Sequence, residues 1–73
     1  MKIQEFVHNF ADAIEIDTAL IGPETKFKDI DSWDSMAVLN IIAMVDDKYQ
    51  KSIGGDEIEQ SVTIADLWGK IEG

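Results

Sequence analysis

The chain has 73 residues and no cysteine, and its 15 acidic against 6 basic side chains give a formal charge of −9. This length fits one domain over residues 1–73 with a small hydrophobic core, and the absence of cysteine excludes disulfides and thiolate metal sites. The negative charge disfavours nucleic acid and anionic membranes as partners, because both are bound through Lys and Arg. It favours partner proteins with basic patches.

The N-terminal segment has the apolar spacing of an amphipathic helix, which predicts a first helix over residues 2–16. Its apolar stripe consists of Ile3, Phe6, Val7, Phe10 and Ile14. The segment has neither the basic start nor the apolar run of a signal peptide, and no stretch is long enough to span a bilayer. We therefore expect a cytoplasmic protein without membrane insertion.

Residues 17–34 lack helical periodicity, and the Gly22-Pro23 pair ends any helix there. This segment nevertheless carries large apolar side chains, so we expect a long, functional loop that is pinned onto the core. Those side chains are Leu20, Ile21, Phe27, Ile30 and Trp33. Its aspartates do not make a calcium loop, because the EF-hand positions for Gly and Glu hold Asp34 and Asn40. No metal site is predicted.

A second helix is predicted over residues 35–51, with Ser32 or Asp34 as its N-terminal cap. At 100° per residue, two opposite sides emerge. The core side consists of Val38, Ile41, Ile42, Val45 and Tyr49, and the other side of Met36, Leu39, Asn40, Ala43 and Asp47. That other side either binds partners or packs against the loop or the third helix, and the helix pattern alone favours neither.

The Gly54-Gly55 pair ends the second helix pattern, and a short helix follows over residues 56–60. Thr63 is a good cap for a last helix that runs to residue 72. No segment alternates with a period of two, so no sheet is expected. The predicted fold is all-α: a small four-helix bundle with three main helices, a short third helix and a long loop between the first two helices.

Ser35 lies at the predicted start of the second helix, directly after Asp34. Free N–H groups and the positive end of the helix dipole favour an anion at such a position, for example a phosphodiester on the Ser hydroxyl. Plain helix capping explains the same two residues. The local pattern therefore leaves both interpretations open.

The run around Ser35 resembles the Asp-Ser-Leu attachment motif of acyl carrier proteins and related thiolation domains. It reads Asp31-Ser32-Trp33-Asp34-Ser35-Met36-Ala37-Val38-Leu39. The resemblance covers nearly the whole chain, including the helix order, the long loop, and an acidic-then-aromatic end to the second helix at Asp46-Asp47-Lys48-Tyr49.

In that family a separate phosphopantetheinyl transferase, assisted by magnesium, moves 4′-phosphopantetheine from coenzyme A to the Ser hydroxyl. The distal thiol then holds acyl or aminoacyl groups as thioesters. The resemblance implies Ser35 as the covalent attachment site, Asp34 as a residue that orients it, and no catalytic residue. Expected partners of the monomer are the transferase and the acyl-loading, modifying and transferring enzymes. These would bind the docking face, which consists of Met36, Leu39, Asn40, Ala43 and Asp47.

Three positions depart from the common fatty-acid carrier pattern. Met36 replaces the usual Leu, while Ala37 and Asn40 stand where many fatty-acid carriers have acids, so the docking face is expected to be less acidic. The first interpretation is a carrier of acyl groups in a fatty-acid, polyketide or specialised acyl pathway. The second is an aminoacyl, D-alanyl or peptidyl carrier, since Asp-Ser-Met also occurs in D-alanyl carriers. The alternative of another class is a non-carrier, acidic helical module that binds a basic partner.

Overall fold

Four α-helices pack around one hydrophobic core in the computed structural model, which describes residues 2–72. The helices are α1 (Lys2–Ala13), α2 (Ser35–Tyr49), α3 (Gly55–Glu59) and α4 (Ile64–Glu72). Loop 1, residues 14–34, joins α1 to α2 and contains two 3-10 turns, Thr18–Leu20 and Phe27–Asp29. Residues 2–72 contain no strand, which confirms the predicted all-α fold. None of these helices is both long and apolar enough to cross a membrane.

Aromatic rings from three elements form the centre of the core. Phe6 and Phe10 of α1 are fully buried, as is Phe27 of loop 1. The Phe6 ring lies 5.1 Å from the ring of Trp68 in α4, and the Phe10 ring lies 5.6 Å from that of Phe27. Each ring removes a large apolar area from water, so these contacts supply much of the packing energy that a 73-residue chain has available.

The predictions extended both long helices too far. α1 ends at Ala13 because Glu15 adopts the left-handed conformation, with φ 60°, and the N–H of Ile16 bonds back to the carbonyl of Ala11 at 3.0 Å. Such a residue ends a helix by turning its last N–H groups back onto free carbonyls. α2 ends at Tyr49 for the same reason, since Gln50 has φ 56° and its N–H donates to the carbonyl of Asp46.

Loop 1 is pinned to the core, as predicted, except at Leu20. Phe27 is fully buried, and Ile21, Ile30 and Trp33 pack against the core while partly exposed. The Leu20 side chain is 75% exposed, so the expectation that it anchors the loop is wrong. It lies in the 3-10 turn Thr18–Leu20, which buries none of its residues, whereas the turn Phe27–Asp29 buries Phe27.

Reciprocal side-chain caps begin α4. The hydroxyl of Thr63 accepts the N–H of Asp66, and the Asp66 carboxylate accepts the N–H groups of Thr63 and Val62, each at 3.1 Å. These bonds satisfy donors that a helix start leaves free. The backbone N–H of Thr63, followed by that of Val62, lowers the pKa of Asp66 because both bonds favour the ionised carboxylate.

Candidate functional site

Ser35 is the first residue of α2 and is exposed. Two residues before it lies Trp33, whose ring stacks on that of Phe10 with centroids 6.0 Å apart and planes inclined by 4°. The Trp33 ring also contacts the Phe27 ring edge-on, with centroids 4.9 Å apart. The backbone N–H of Trp33 donates to the carbonyl of Ile30 at 2.9 Å. Two core rings therefore hold the backbone that immediately precedes Ser35.

Asp34 caps α2, which decides between the two predicted caps. Its backbone is extended, with φ −154° and ψ −171°, and its Oδ1 accepts the N–H of Ala37 at 2.9 Å. Its carbonyl accepts the N–H of Val38 at 3.2 Å. Because Asp34 does the capping, the Ser35 hydroxyl is free of that task, and it forms no hydrogen bond with any residue in the described range 2–72.

The start of α2 can accommodate an anion on Ser35. The N–H groups of Ser35 and Met36 donate to no other residue within 2–72, and the positive end of the helix dipole lies at the same place. These N–H groups are therefore available to a phosphodiester on the exposed Ser35 hydroxyl. The local geometry therefore fits a phosphate-linked group.

The docking face is exposed. Met36 and Leu39 are 62% and 58% exposed, and Asn40, Ala43 and Asp47 are exposed with them. The alternative in which this side packs against loop 1 or α3 is therefore wrong. The opposite side of α2 is buried, as predicted for Ile41 and Val45, while Val38, Ile42 and Tyr49 are only partly covered.

Two further α2 side chains, Ala37 and Met44, are buried although the helical pattern did not assign them to the core side. Because Ala37 is only 4% exposed, its position has no part in the charge of the docking face. Met44 is 8% exposed and Ile58 of α3 is fully buried, so both lie in the core.

A notch opens beside Ser35, between the end of α1 and the start of α2. It has a volume of about 180 Å³ and is lined by Ile14, Glu15, Ser32, Asp34, Met36, Ala37 and Asn40. Glu15 and Asn40 also line a shallow groove of about 540 Å³ that continues between α1 and α2. Ile14 and Glu15, at the start of loop 1, are missing from the sequence-based site, because a pattern on α2 does not reveal which residues after α1 pack beside it.

No group of three or more His, Cys, Asp or Glu side chains within residues 2–72 is arranged to hold a metal ion. Asp29, Asp31 and Asp34 of loop 1 therefore do not form such a group.

The model of the family described as phosphopantetheine attachment site matches residues 4–71. The match includes all of loop 1, α2 and α3, together with most of α1 and α4. The chain belongs to this family. No solved structure matches the chain. Members bind 4′-phosphopantetheine covalently, and the exposed helix start at Ser35 fits such a group.

The protein is thus a phosphopantetheine-carrying carrier protein. Carrier domains of this family are not catalytic themselves, and they generally interact with a phosphopantetheinyl transferase and with partner enzymes. A capped helix start with an exposed serine suits the attachment of such an arm.

Proposed function

We propose that this carrier holds acyl intermediates as thioesters on a 4′-phosphopantetheine arm attached to Ser35, and delivers them to enzymes of a fatty-acid, polyketide or specialised acyl pathway. The observation that carries the proposal is the exposed, unbonded Ser35 hydroxyl at the first position of α2, directly after its cap, Asp34. Family membership makes an attachment residue necessary, and the geometry supports Ser35 as that residue.

The other serines fit the role less well. Ser61 is fully buried, donates its hydroxyl hydrogen to the carbonyl of Glu57 at 2.9 Å and accepts from Lys70. Ser32 and Ser52 are exposed but lie outside the helices, where no set of aligned N–H groups faces the hydroxyl. Only Ser35 combines an accessible hydroxyl with a helix start among the described residues.

In the proposed loading step, the Ser35 hydroxyl oxygen attacks the phosphorus of coenzyme A that bears pantetheine. A new O–P bond forms, the pyrophosphate P–O bond breaks, and adenosine 3′,5′-bisphosphate leaves. The hydroxyl proton passes to a base of the transferase, since the carboxylate of the adjacent Asp34 serves as the helix cap and accepts the N–H of Ala37. The Asp34 cap orients the helix start and contributes to recognition.

The docking face supports delivery. Met36 and Leu39 offer apolar area close to Ser35, and Asp47 offers charge three turns further along α2. An enzyme that takes the thioester approaches along this face, so apolar contact and attraction to a basic patch act together. We propose that the carrier does this as a monomer.

The test is the intact mass after incubation with coenzyme A, Mg²⁺ and a promiscuous phosphopantetheinyl transferase. The wild type and the control Ser52→Ala should each gain one phosphopantetheine, and Ser35→Ala should gain none. No gain in the wild type would favour the non-carrier interaction module. The mass of the group on carrier isolated from its native cells then separates an acyl from an aminoacyl cargo.

A further inference from the structure

The notch beside Ser35 points to a recognition residue outside α2. We infer that Glu15, together with Asp34, binds the Lys or Arg side chain of the transferase that loads Ser35. The inference rests on the proposed function. It adds the start of loop 1 to the surface that this enzyme contacts, beyond the docking face on α2.

The size of the notch suits one side chain. Its volume is about 180 Å³, and it is open to solvent. A loop or helix of a partner is too large to enter, whereas a single long side chain is not. Because Asp34 and Met36 both line it and flank Ser35 in the chain, a side chain held there comes from a protein already positioned at the attachment residue.

The chemistry of the lining selects a cation with an apolar stem. Ile14, Met36 and Ala37 provide apolar walls for methylene groups. The carboxylates of Glu15 and Asp34 are the charged groups of the lining, and no lysine belongs to it. One oxygen of Asp34 is occupied by the N–H of Ala37, which leaves the other oxygen and the Glu15 carboxylate for an ammonium or guanidinium group.

The surroundings strengthen the preference for a cation. The adjoining groove between α1 and α2 adds Asp12 and Asp47 to Glu15, against one lysine, Lys48. Lys48 lies near the end of α2, far along the helix from Ser35. The field along this approach is therefore negative, and it draws a basic enzyme surface toward the attachment residue.

The backbone conformation of Glu15 allows an experiment that separates the effect of its charge from its effect on stability. With φ 60°, Glu15 has the conformation in which glycine is normally favoured, because glycine has no Cβ to clash. Folding alone thus favours glycine at this position. Gln50 is the matched case at the end of α2, with φ 56°, and it does not line the notch.

The first experiment compares loading rates of Glu15→Gln with those of Glu5→Gln, using coenzyme A, Mg²⁺ and one phosphopantetheinyl transferase. Glu5 is exposed on α1 and lies outside the notch lining, so it controls for the loss of one negative charge. At low salt, kcat/KM should fall about two- to fivefold for Glu15→Gln through a higher KM, and it should change less for Glu5→Gln. The difference in kcat/KM between the two variants should shrink as salt is added.

The second experiment compares Glu15→Gly with Gln50→Gly. Both substitutions relieve a left-handed non-glycine residue, so both should raise the Tm by a few degrees. Only Glu15→Gly should slow loading. This result excludes a general loss of structure as the cause, since the slow variant is the more stable protein.

The outcomes distinguish the two claims. If the wild type is loaded and both Glu15 variants are loaded at the rate of Glu5→Gln, the inference about Glu15 is wrong and the proposed function stands. If the wild type is not loaded at all, the proposed function is wrong and the inference falls with it. A slow Glu15→Gln variant whose deficit persists unchanged at high salt also contradicts a charge-based contact.

Discussion

The amide N–H of Ala65, in the first turn of α4, donates a 2.8 Å hydrogen bond to the carbonyl of Pro23 in loop 1. The preceding N–H, that of Ile64, donates to the carbonyl of Thr25 at 3.2 Å. First-turn N–H groups have no partner inside their own helix, so loop 1 supplies the missing acceptors. The loop that leads to Ser35 is thereby tied to the last helix.

Hydrogen exchange should detect these bonds between loop 1 and α4. The amides of Ile64 and Ala65 should exchange slowly for first-turn amides, because both are bonded to loop 1. The amides of Ser35 and Met36, at the start of α2, provide the comparison, since they donate to no residue within 2–72. NMR exchange rates measured per residue check this prediction, and equal rates at the two helix starts would contradict it.

Substitutions at Asp34 and Ser35 should separate the cap from the attachment residue. Asp34→Ala should lower the free energy of unfolding by about 1 kcal/mol, because the N–H of Ala37 loses its acceptor. Asp34→Asn keeps a side-chain acceptor, so its free energy of unfolding should fall by less. Ser35→Ala should stay within about 0.5 kcal/mol of the wild type, since its exposed hydroxyl makes no internal bond. Urea denaturation measures all three, and a large loss for Ser35→Ala would mean that its hydroxyl is structural.

Leu39 and Ile41 lie two residues apart on α2, and their truncation should affect stability to very different extents. Ile41 is fully buried, so Ile41→Ala should cost about 2–5 kcal/mol of stability. Leu39 is 58% exposed, so Leu39→Ala should change stability by less than about 1 kcal/mol. Leu39→Ala should instead weaken binding to an enzyme that takes the thioester. Denaturation curves and binding titrations report the two effects, and a Leu39→Ala loss as large as that of Ile41→Ala would make the face structural.

Stability should fall at acid pH in part through Asp66. Bonds from the N–H groups of Thr63 and Val62 lower its pKa in the folded chain, so the folded state holds this proton less tightly than the unfolded state. Its contribution is therefore present above the ordinary aspartate pKa of about 4 and is lost as the pH falls through the lower, folded-state value.

The matching variant is Asp66→Asn, which keeps the shape but carries no charge. Its Tm should lie below that of the wild type at neutral pH, and the gap should narrow toward pH 3 as Asp66 of the wild type takes up its proton. Thermal melts across that range measure the gap. A gap that stays constant with pH would show that the charge of Asp66 contributes nothing.

Added salt or millimolar Mg²⁺ should raise the Tm. The net charge of −9 is confined to a body of 28 × 25 × 20 Å, and the Debye length of about 30 Å at 0.01 M salt leaves repulsion across it unscreened. Among the side chains of residues 3–72, the one contact at ion-pair distance is that of His8 with Asp12 at 3.5 Å, and it opposes the repulsion only when the imidazole is protonated. Melts in an ionic-strength series test the prediction, and a flat or falling Tm would contradict it.

The sequence by itself determined the helix order, the start of α2 at Ser35 and the choice of cap candidates. Each depends on neighbours in the chain: apolar spacing within a helix, a short polar side chain before it, and glycine or proline after it. The resemblance of the motif around Ser35 to carrier domains has the same local origin, and the family match over residues 4–71 agrees with it.

Only the tertiary structure decided which parts of α2 and loop 1 are covered. Ala37 and Met44 are buried, whereas Leu20 and Leu39 are exposed, because the packing of other elements selects what is covered, and hydrophobicity alone does not. α1 and α2 end earlier than predicted, at the left-handed residues Glu15 and Gln50. Neither residue is a glycine, so the sequence does not mark these ends. The notch beside Ser35 and the bonds from α4 to loop 1 join residues that are distant in the chain. Such contacts exist only once the helices pack together, since no local pattern encodes the distance between two elements.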